Sequence, residues 1–281
     1  MFNRSLLSLP TKLCNLQIRR SSSSRCLLSV TQEDGIKNII LDDQKTRNSL
    51  SMSMMNQLID EIKRDENDKS LRAIVLSSTG AIFSAGHNLK ELYFPDKSYE
   101  EVKSIFEKCH ELINCVIHSP VPIISKVDGL AAAAGLQLVA SCDIVVCSDK
   151  STFSTPGSSF GIFCSTPGIA LRVIPRMKSS FMLLTGLPIT ADEALRIGLV
   201  SNVVSKEELD KETERICNAI KSKSRVVISF GKKFYYKQLS MGLNDAYIEG
   251  SKIMADNLQL EDGQEGIKSF IEKRKPVWRN E

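Results

Sequence analysis

The sequence predicts an α/β domain with a mainly parallel sheet, followed by a helical C-terminal part. Three observations predict it. Short β-branched runs alternate with helical patterns between residues 35 and 155. Their spacing is that of βαβ units, whose crossovers join parallel strands. From residue 206 onward only helical periodicity remains. The chain has 281 residues, 42% of them hydrophobic and 25% charged. That is ordinary globular composition, with length enough for a large core.

The elements follow in order. Gly35–Leu41 reads as a strand and Asp42–Asn48 as a polar turn. Ser51 caps a helix whose Met54, Met55, Leu58, Ile59 and Ile62 fall at helical spacing. Leu71–Ser77 is a buried strand, Ser78–Asn88 a Gly-containing loop, and Ser98–His118 a long helix. Val121–Val127 is the next strand. The run Leu130–Ala140 is Ala-rich and predicts a helix. Asp143–Ser148 returns as a strand, and Pro156–Gly168 is a loop. Helical patterns follow at Met177–Thr185, Ala191–Ile197 and Lys206–Lys221, with a short strand at Leu199–Val204. Two or three more helices fill Arg225–Lys273.

Charge divides the chain. Residues 1–25 hold Arg4, Lys12, Arg19, Arg20 and Arg25 and no acid. Removing those five charges takes the formal +4 to −1. A near-neutral remainder argues against global electrostatic binding of nucleic acid. The Arg-, Ser- and Leu-rich start predicts an amphipathic mitochondrial transit segment over residues 1–28. The lack of a continuous apolar stretch after the first basic residue argues against a secretory signal. The expected organisation is then a core over 29–205 and a helical region over 206–281. No run reaches the roughly 18 apolar residues of a membrane span.

Eight cysteines are present, none in a C-x-x-C pair, and the only histidines are His87, His110 and His118. No zinc site and no disulfide framework is predicted.

Two segments carry chemistry. In Ile82–Leu92 a strand ends, Ser84-Ala85-Gly86 permits a tight turn, and a helical pattern resumes after Asn88. Amides at such a turn are free to point at an anionic oxygen. In Val127–Asp143 a strand ends at Asp128-Gly129, and small residues lead into a helix whose N-terminus adds its dipole. Alone, the first segment reads rather as an ordinary turn, and the second also fits close helix–sheet packing. Together they supply two amides from two loops, the arrangement of an oxyanion hole.

At these residues the sequence resembles the crotonase (enoyl-CoA hydratase/isomerase) family. The likeness rests on Phe83–Glu91 and on Asp128–Leu138, where Ala133 replaces a central glycine. It extends to Thr152-Phe153, Leu183–Gly186, Ala191–Ala194, Gly198–Val200 and Glu265–Trp278. It spans about residues 30–278, nearly the whole chain after the basic start. The resemblance implies a crotonase-like (ββα)n spiral core with a C-terminal helical trimerisation region. It implies homotrimers, often stacked as hexamers, and a place in mitochondrial acyl-CoA (fatty acid) metabolism. The ligand it implies is an acyl-CoA thioester, with no separate cofactor and no metal.

Residue roles follow from the same resemblance. His87 and Ala134 would offer the two oxyanion-hole N–H groups. Ala85, Asn88, Leu89 and Lys90 would line the groove for adenine and pantetheine, with Lys45 and Arg47 near the CoA. Lys273, Arg274 and Lys275 either approach CoA phosphates or form a solvated charge run. The family's paired catalytic glutamates fall at Gln137 and Gly157 here. Gln cannot cycle a proton and Gly offers nothing, so weak or absent hydratase activity is expected. Four alternatives stay open. The chain is a non-catalytic or regulatory acyl-CoA binder. It is a decarboxylase helped by the His87 side chain. It is a thioesterase using Cys164 as nucleophile. Or it binds RNA through the basic stretches 222–225 and 231–233.

Overall fold

The computed structural model describes residues 25–280, so the expectations for the basic first 24 residues lie outside the described part. The chain opens with β1 (Leu28–Glu33) and β2 (Ile36–Leu41), an antiparallel hairpin. Asp34 and Gly35 close it, both at positive φ, as an Asp-Gly hairpin turn requires. The hairpin is tied down from residue 25. Arg25 donates to Asp43 Oδ1 at 2.9 Å, and Leu27 N donates to Gln57 Oε1 at 2.9 Å. The expected boundary at 28/29 therefore falls at the first residue of a packed strand. A 3-10 turn at Gln44–Thr46 leads to α1 (Met52–Arg64), where Ser51 Oγ accepts from Met54 N at 3.2 Å. The buried face of α1 is the predicted set, Met54, Met55, Leu58, Ile59 and Ile62.

From there the chain repeats one plan. A strand enters a large sheet, the next enters a small sheet, and a helix returns. The first round is β3 (Ala73–Ser78), β4 (Ile82–Ser84) and α2 (Tyr99–Ile117), which opens with a Ser98–Glu101 capping box. The second is β5 (Ile123–Val127), β6 (Leu130–Ala132) and α3 (Ala134–Ala140). The third is β7 (Ile144–Ser148) and β8 (Thr152–Ser154), then a 3-10 turn at Pro156–Phe160 and the helices α4 (Ser165–Ala170) and α5 (Arg176–Thr185). The strand β9 (Ile189–Thr190), α6 (Ala191–Arg196) and β10 (Asn202–Val204) complete the core.

The large sheet runs β1-β2-β3-β5-β7-β10 and the small one β4-β6-β8-β9. All pairings are parallel except β1 with β2 and β8 with β9. This is the (ββα) spiral the sequence implies. One face of the large sheet joins Ile39, Leu41, Ile74, Leu76 and Ile123 to the main core. Its other face packs Ala73, Val75, Ile124 and Val146 against Leu209, Ile216 and Cys217 of α7 (Leu209–Lys221). So α7 belongs with the core, and α8 (Arg225–Gln238) follows it. The last two helices are α9 (Leu243–Asn257) and α10 (Glu261–Ile271).

Three predicted elements differ. The run Leu130–Ala140 is not one helix: Leu130–Ala132 pairs with β4 and β8, and the helix starts only at Ala134. Ladder pairing overrides the helix propensity of alanine. The loop Ser78–Asn88 likewise contains β4, drawn into a strand by β6. Both of these fall on the small sheet, whose strands β4, β6 and β8 are three residues each, too short to show a period. The third is the loop Pro156–Gly168, which holds a 3-10 turn at Pro156–Phe160 and the start of α4 at Ser165.

α8 is fastened to the core by a buried polar cluster. Lys232 Nζ reaches Asp143 Oδ2 at 2.7 Å, and Tyr236 OH donates to Asp143 Oδ1 at 3.0 Å. Ile123 N donates to the same Asp143 Oδ2 at 2.7 Å. The carboxylate is thereby saturated, as a buried charge must be.

Candidate active site

Three parallel strands of the small sheet deliver their carboxyl ends to one edge. β4 leads into Ala85-Gly86-His87, β6 into Ala133-Ala134, and β8 into Thr155-Pro156-Gly157. Loops at the carboxyl ends of parallel strands are where open α/β folds hold ligands.

The first two loops touch. Gly86 sits at φ +91°, and a Cβ there would lie 2.9 Å from Ala133 Cβ and 3.1 Å from Ala134 N. Gly135 is as tight, since its Cβ would lie 2.5 Å from the Ser84 carbonyl oxygen. These contacts press the turn at Gly86 against the start of α3. Neither the His87 amide nor the Ala134 amide donates to a protein acceptor among the described residues. Ala133 itself takes φ 49°, ψ −120°, a conformation that favours glycine, and its N donates to Ser154 O at 3.0 Å. The predicted glycine-to-alanine substitution thus sits on a strained residue beside one of the two free amides.

The flanking loop is stapled to the same edge. Ala85 N donates to Arg47 O at 3.1 Å, and Leu50 N to Gly86 O at 2.8 Å. Arg47 and Asn48 both have positive φ. Buried Asn48 holds the turn by donating to Thr79 O and Ile82 O at 3.0 and 2.9 Å and accepting from Asp43 N at 2.8 Å. The sequence reading passed over Asn48; its signal was an Asn in a turn, a type that tolerates the left-handed region. Lys45, Arg47 and Lys90 are exposed, with no ion pair among the described residues, so they remain free to meet an anion. Asn88 caps the 3-10 turn Leu89–Glu91 by accepting from Lys90 N at 3.2 Å, and Leu89 is exposed.

Gln137 is one turn beyond Ala134 on α3 and is buried, with Oε1 unpaired. Gly157 is buried too. A Cβ on it would lie 2.3 Å from Ile162 O and 2.7 Å from Cys164 Sγ, so the space of a side chain is already filled. Cys164 is buried and burial pushes its thiol up, opposed by the Gly157 amide. A thiol so placed is a poor nucleophile. His87 stacks edge-to-face on Phe106 with ring centroids 5.1 Å apart, and its Nδ1 lies 3.4 Å from Leu50 O. Burial pulls the imidazole below its ordinary value, opposed by the Leu50 carbonyl.

Other candidates are drawn elsewhere. Asp128 pairs with Lys206 at 2.7 Å and accepts from Ser148 Oγ at 2.9 Å. Glu91 accepts from Met52 N at 2.9 Å, at the start of α1. Arg274 is engaged by Glu265 and Glu272, and Lys273 and Lys275 are exposed, the pattern of a solvated run. In the basic stretches, Arg225 donates to Leu71 O and Glu66 O, and Lys232 is held by Asp143. No group of metal-binding side chains occurs among the described residues. No helix there is long and apolar enough to cross a membrane. The seven described cysteines are all free thiols.

Comparison with known proteins gives one answer. The enoyl-CoA hydratase/isomerase family model matches residues 31–281. Enoyl-CoA hydratase domain-containing protein 3, mitochondrial, of Homo sapiens is 49% identical over 278 residues, covering 97% of this chain and 91% of that one. The Mus musculus protein of the same name is 49% identical over 259 residues, covering 92% and 86%. The crystal structure of human enoyl Coenzyme A hydratase domain-containing protein 3 superposes with TM-score 0.88 at 50% identity, covering 90% of this chain and 100% of that one. An enoyl-CoA hydratase of Mycobacterium smegmatis superposes with TM-score 0.87 at 36% identity, covering 90% and 99%.

Proposed function

This chain belongs to the enoyl-CoA hydratase/isomerase family, and from that premise we propose that it binds acyl-CoA thioesters in mitochondrial acyl-CoA metabolism with little or no hydratase turnover. The observation that carries this reading is the pair of unengaged amides, His87 N and Ala134 N, on two loops pressed together at the Gly86–Ala134 contact. A thioester carbonyl oxygen placed between them accepts two hydrogen bonds, which strengthen as negative charge develops on it. The CoA portion runs along Ala85, Asn88, Leu89 and Lys90, with exposed Lys45 and Arg47 available to its phosphates. The acyl chain lies toward the segments leaving β4 and β8, where Tyr93, Phe94, Phe160, Ile162 and Phe163 expose apolar surface.

Turnover is the weak point. Hydration needs one group to take a proton and one to give it, worth typically 10²–10⁴-fold. Gln137 and Gly157 do neither. The buried Cys164 thiol argues against thioester hydrolysis through a cysteine nucleophile. The engagement of Arg225 and Lys232 within the fold argues against nucleic acid as partner.

The assembly belongs to the same proposal. Tyr235, Leu239, Leu243, Tyr247 and Phe270 on α8 to α10 are exposed in the single chain. Apolar surface of that extent is normally covered. A homotrimer or hexamer covers it. The acid-free, Arg-rich start and the mitochondrial relatives support a matrix location.

The test is a paired titration. Crotonyl-CoA and longer enoyl-CoAs are titrated for binding while enoyl absorbance is followed in the same samples. Saturable binding without loss of absorbance is expected. Absence of any binding overturns the thioester site, and turnover well above buffer overturns the roles given to Gln137 and Gly157.

A further inference from the structure

An ammonium group taken out of water needs an acceptor for each of its three protons. Lys232 on α8 has all three. Its side chain is 7% exposed, and its Nζ donates to Asp143 Oδ2 at 2.7 Å, to Val116 O at 3.2 Å and to Val121 O at 3.3 Å. The acceptors come from three stretches of chain. Val116 is in the last turn of α2, Val121 stands just before β5, and Asp143 lies between α3 and β7.

Asp143 is fixed in its turn. Its Oδ2 also accepts from Ile123 N at 2.7 Å, and its own N donates to Ile123 O at 2.9 Å. Its Oδ1 accepts from Tyr236 OH at 3.0 Å. Lys232 and Tyr236 are one helical turn apart on α8, so one stretch of that helix grips the whole junction.

Two of the tied elements end at the thioester site. α3 has seven residues, so about 10 Å separates Ala134 at its start from the end that leads into Asp143. α2 carries Phe106, whose ring meets the His87 ring edge-to-face with centroids 5.1 Å apart. Val116 lies about three turns further along the same helix. One ammonium therefore joins the far ends of the two helices that stand behind Ala134 and His87.

Packing alone does not call for a charge at such a junction. A buried ion pair adds little stability over apolar side chains of the same volume, and losing one partner is costly. What three directed hydrogen bonds add over an apolar contact is a defined place for each acceptor.

We propose that Lys232 is a positioning residue for the thioester site: by tying α2, the start of β5 and the end of α3 to α8, it sets where the amides of His87 and Ala134 stand. The inference rests on the thioester reading above and adds that a C-terminal helix takes part in building the site. Lys232 acts through Val116 O, Val121 O and Asp143 and has no part in contacting the thioester.

The test uses the full chain and two probes. Hexadienoyl-CoA has a conjugated thioester, whose absorbance moves to the red when hydrogen bonds polarise its carbonyl. Free CoA lacks that carbonyl and reports on the rest of the groove. Two variants are compared with the unaltered protein. Lys232→Met combined with Asp143→Asn cuts the tie and leaves no charge unpaired, and the amide oxygen at 143 still accepts from Ile123 N. Tyr236→Phe removes one hydrogen bond and keeps the ion pair. The double variant is expected to lose roughly half or more of the red shift at saturation, and its affinity for hexadienoyl-CoA to fall about three- to tenfold. Its affinity for free CoA should hold within about twofold. Tyr236→Phe should change in the same direction by less. A full red shift and an unchanged ester-to-CoA ratio in both variants overturn the proposal and leave the junction as a fastening of α8 alone. Equal losses for ester and free CoA with the red shift retained overturn it as well, since that is general loosening. If the double variant does not fold, an unchanged ratio and shift in Tyr236→Phe overturn it. If the unaltered protein binds no ester, or binds it without a red shift, the thioester reading fails and this inference with it; a red shift that neither variant alters sinks this inference only.

Discussion

The loops leaving β4 and β6 and the loop leaving β8 stand at the same sheet edge and have fared differently. In the first pair, Gly86 and Gly135 are packed so closely against Ala133, Ala134 and Ser84 that no side chain fits, and the two amides are left free. In the third, Gly157 has no room for a side chain, because the Ile162 carbonyl and Cys164 Sγ fill the place of its Cβ. The difference separates two demands on a thioester site. Holding the carbonyl is done by backbone, which small residues and close packing secure. Moving protons is done by side chains, which a single substitution removes.

The comparison is broken most severely at Gly86. Gly86→Ala meets both a positive φ and a 2.9 Å contact, whereas Gly161→Ala meets a positive φ with open space around it. The first should lose about 2 kcal/mol or more of stability and roughly tenfold or more in thioester affinity. The second should lose only the strain term and keep its affinity. Paired denaturant melts and CoA-ester titrations check this, and equal losses at the two positions would sink the claim that Gly86 sets the amide pair.

The third loop is tested next by placing an acid in it. Gly157→Glu must displace Ile162 O and Cys164 Sγ, and overpacking of this kind costs about 1–3 kcal/mol. The expected result is a lower melting temperature with no gain in the rate of enoyl absorbance loss. A stable, active Gly157→Glu enzyme would show that the loop can accommodate an acid and that the two regions differ by one residue only.

A smaller effect comes from His87, in the first of these loops. Folding holds its imidazole neutral, since burial pulls the value below the ordinary one. The associated stability is present above the unfolded value, near pH 6.5, and is lost as pH falls from there through the folded value. Melting temperature should therefore fall between about pH 7.5 and 5.5 more steeply in the unaltered chain than in His87→Gln. Parallel slopes would mean that the imidazole is solvated.

Much of this was legible in the sequence. The α1 face, the alternation of the large sheet and the two amide segments follow from periodicity and from small residues at strand ends. The small sheet was not legible, because β4, β6 and β8 are three residues each and hold together only by pairing with one another. Nor was the β1 strand predicted, although Asp34-Gly35 is a strong hairpin signal. At the site, residue types could be read but occupancy could not. Gln137 and Gly157 are visible as letters; that a carbonyl fills the place beside Gly157 depends on a loop whose path no local pattern sets. Thr155 looks like any loop threonine until its burial is known.

The mildest perturbation falls on Ala133, the residue between the two amide loops. Its φ 49°, ψ −120° is the first central position of a type II′ turn, where a Cβ is strained by about 1–3 kcal/mol. Ala133→Gly removes that strain and gives back about 0.4–1 kcal/mol of unfolded-chain entropy. The balance is a stabilisation of about 1 kcal/mol, opposite in sign to Ala→Gly elsewhere in a folded chain. The backbone is already where glycine would put it, so thioester affinity should hold within about twofold. A denaturant midpoint that rises with affinity unchanged would show that the first region is built by its packing and merely tolerates the alanine. A midpoint that falls would mean that the Ala133 methyl contributes packing worth more than its strain, and that the glycine-to-alanine exchange is part of how this chain holds its two amides.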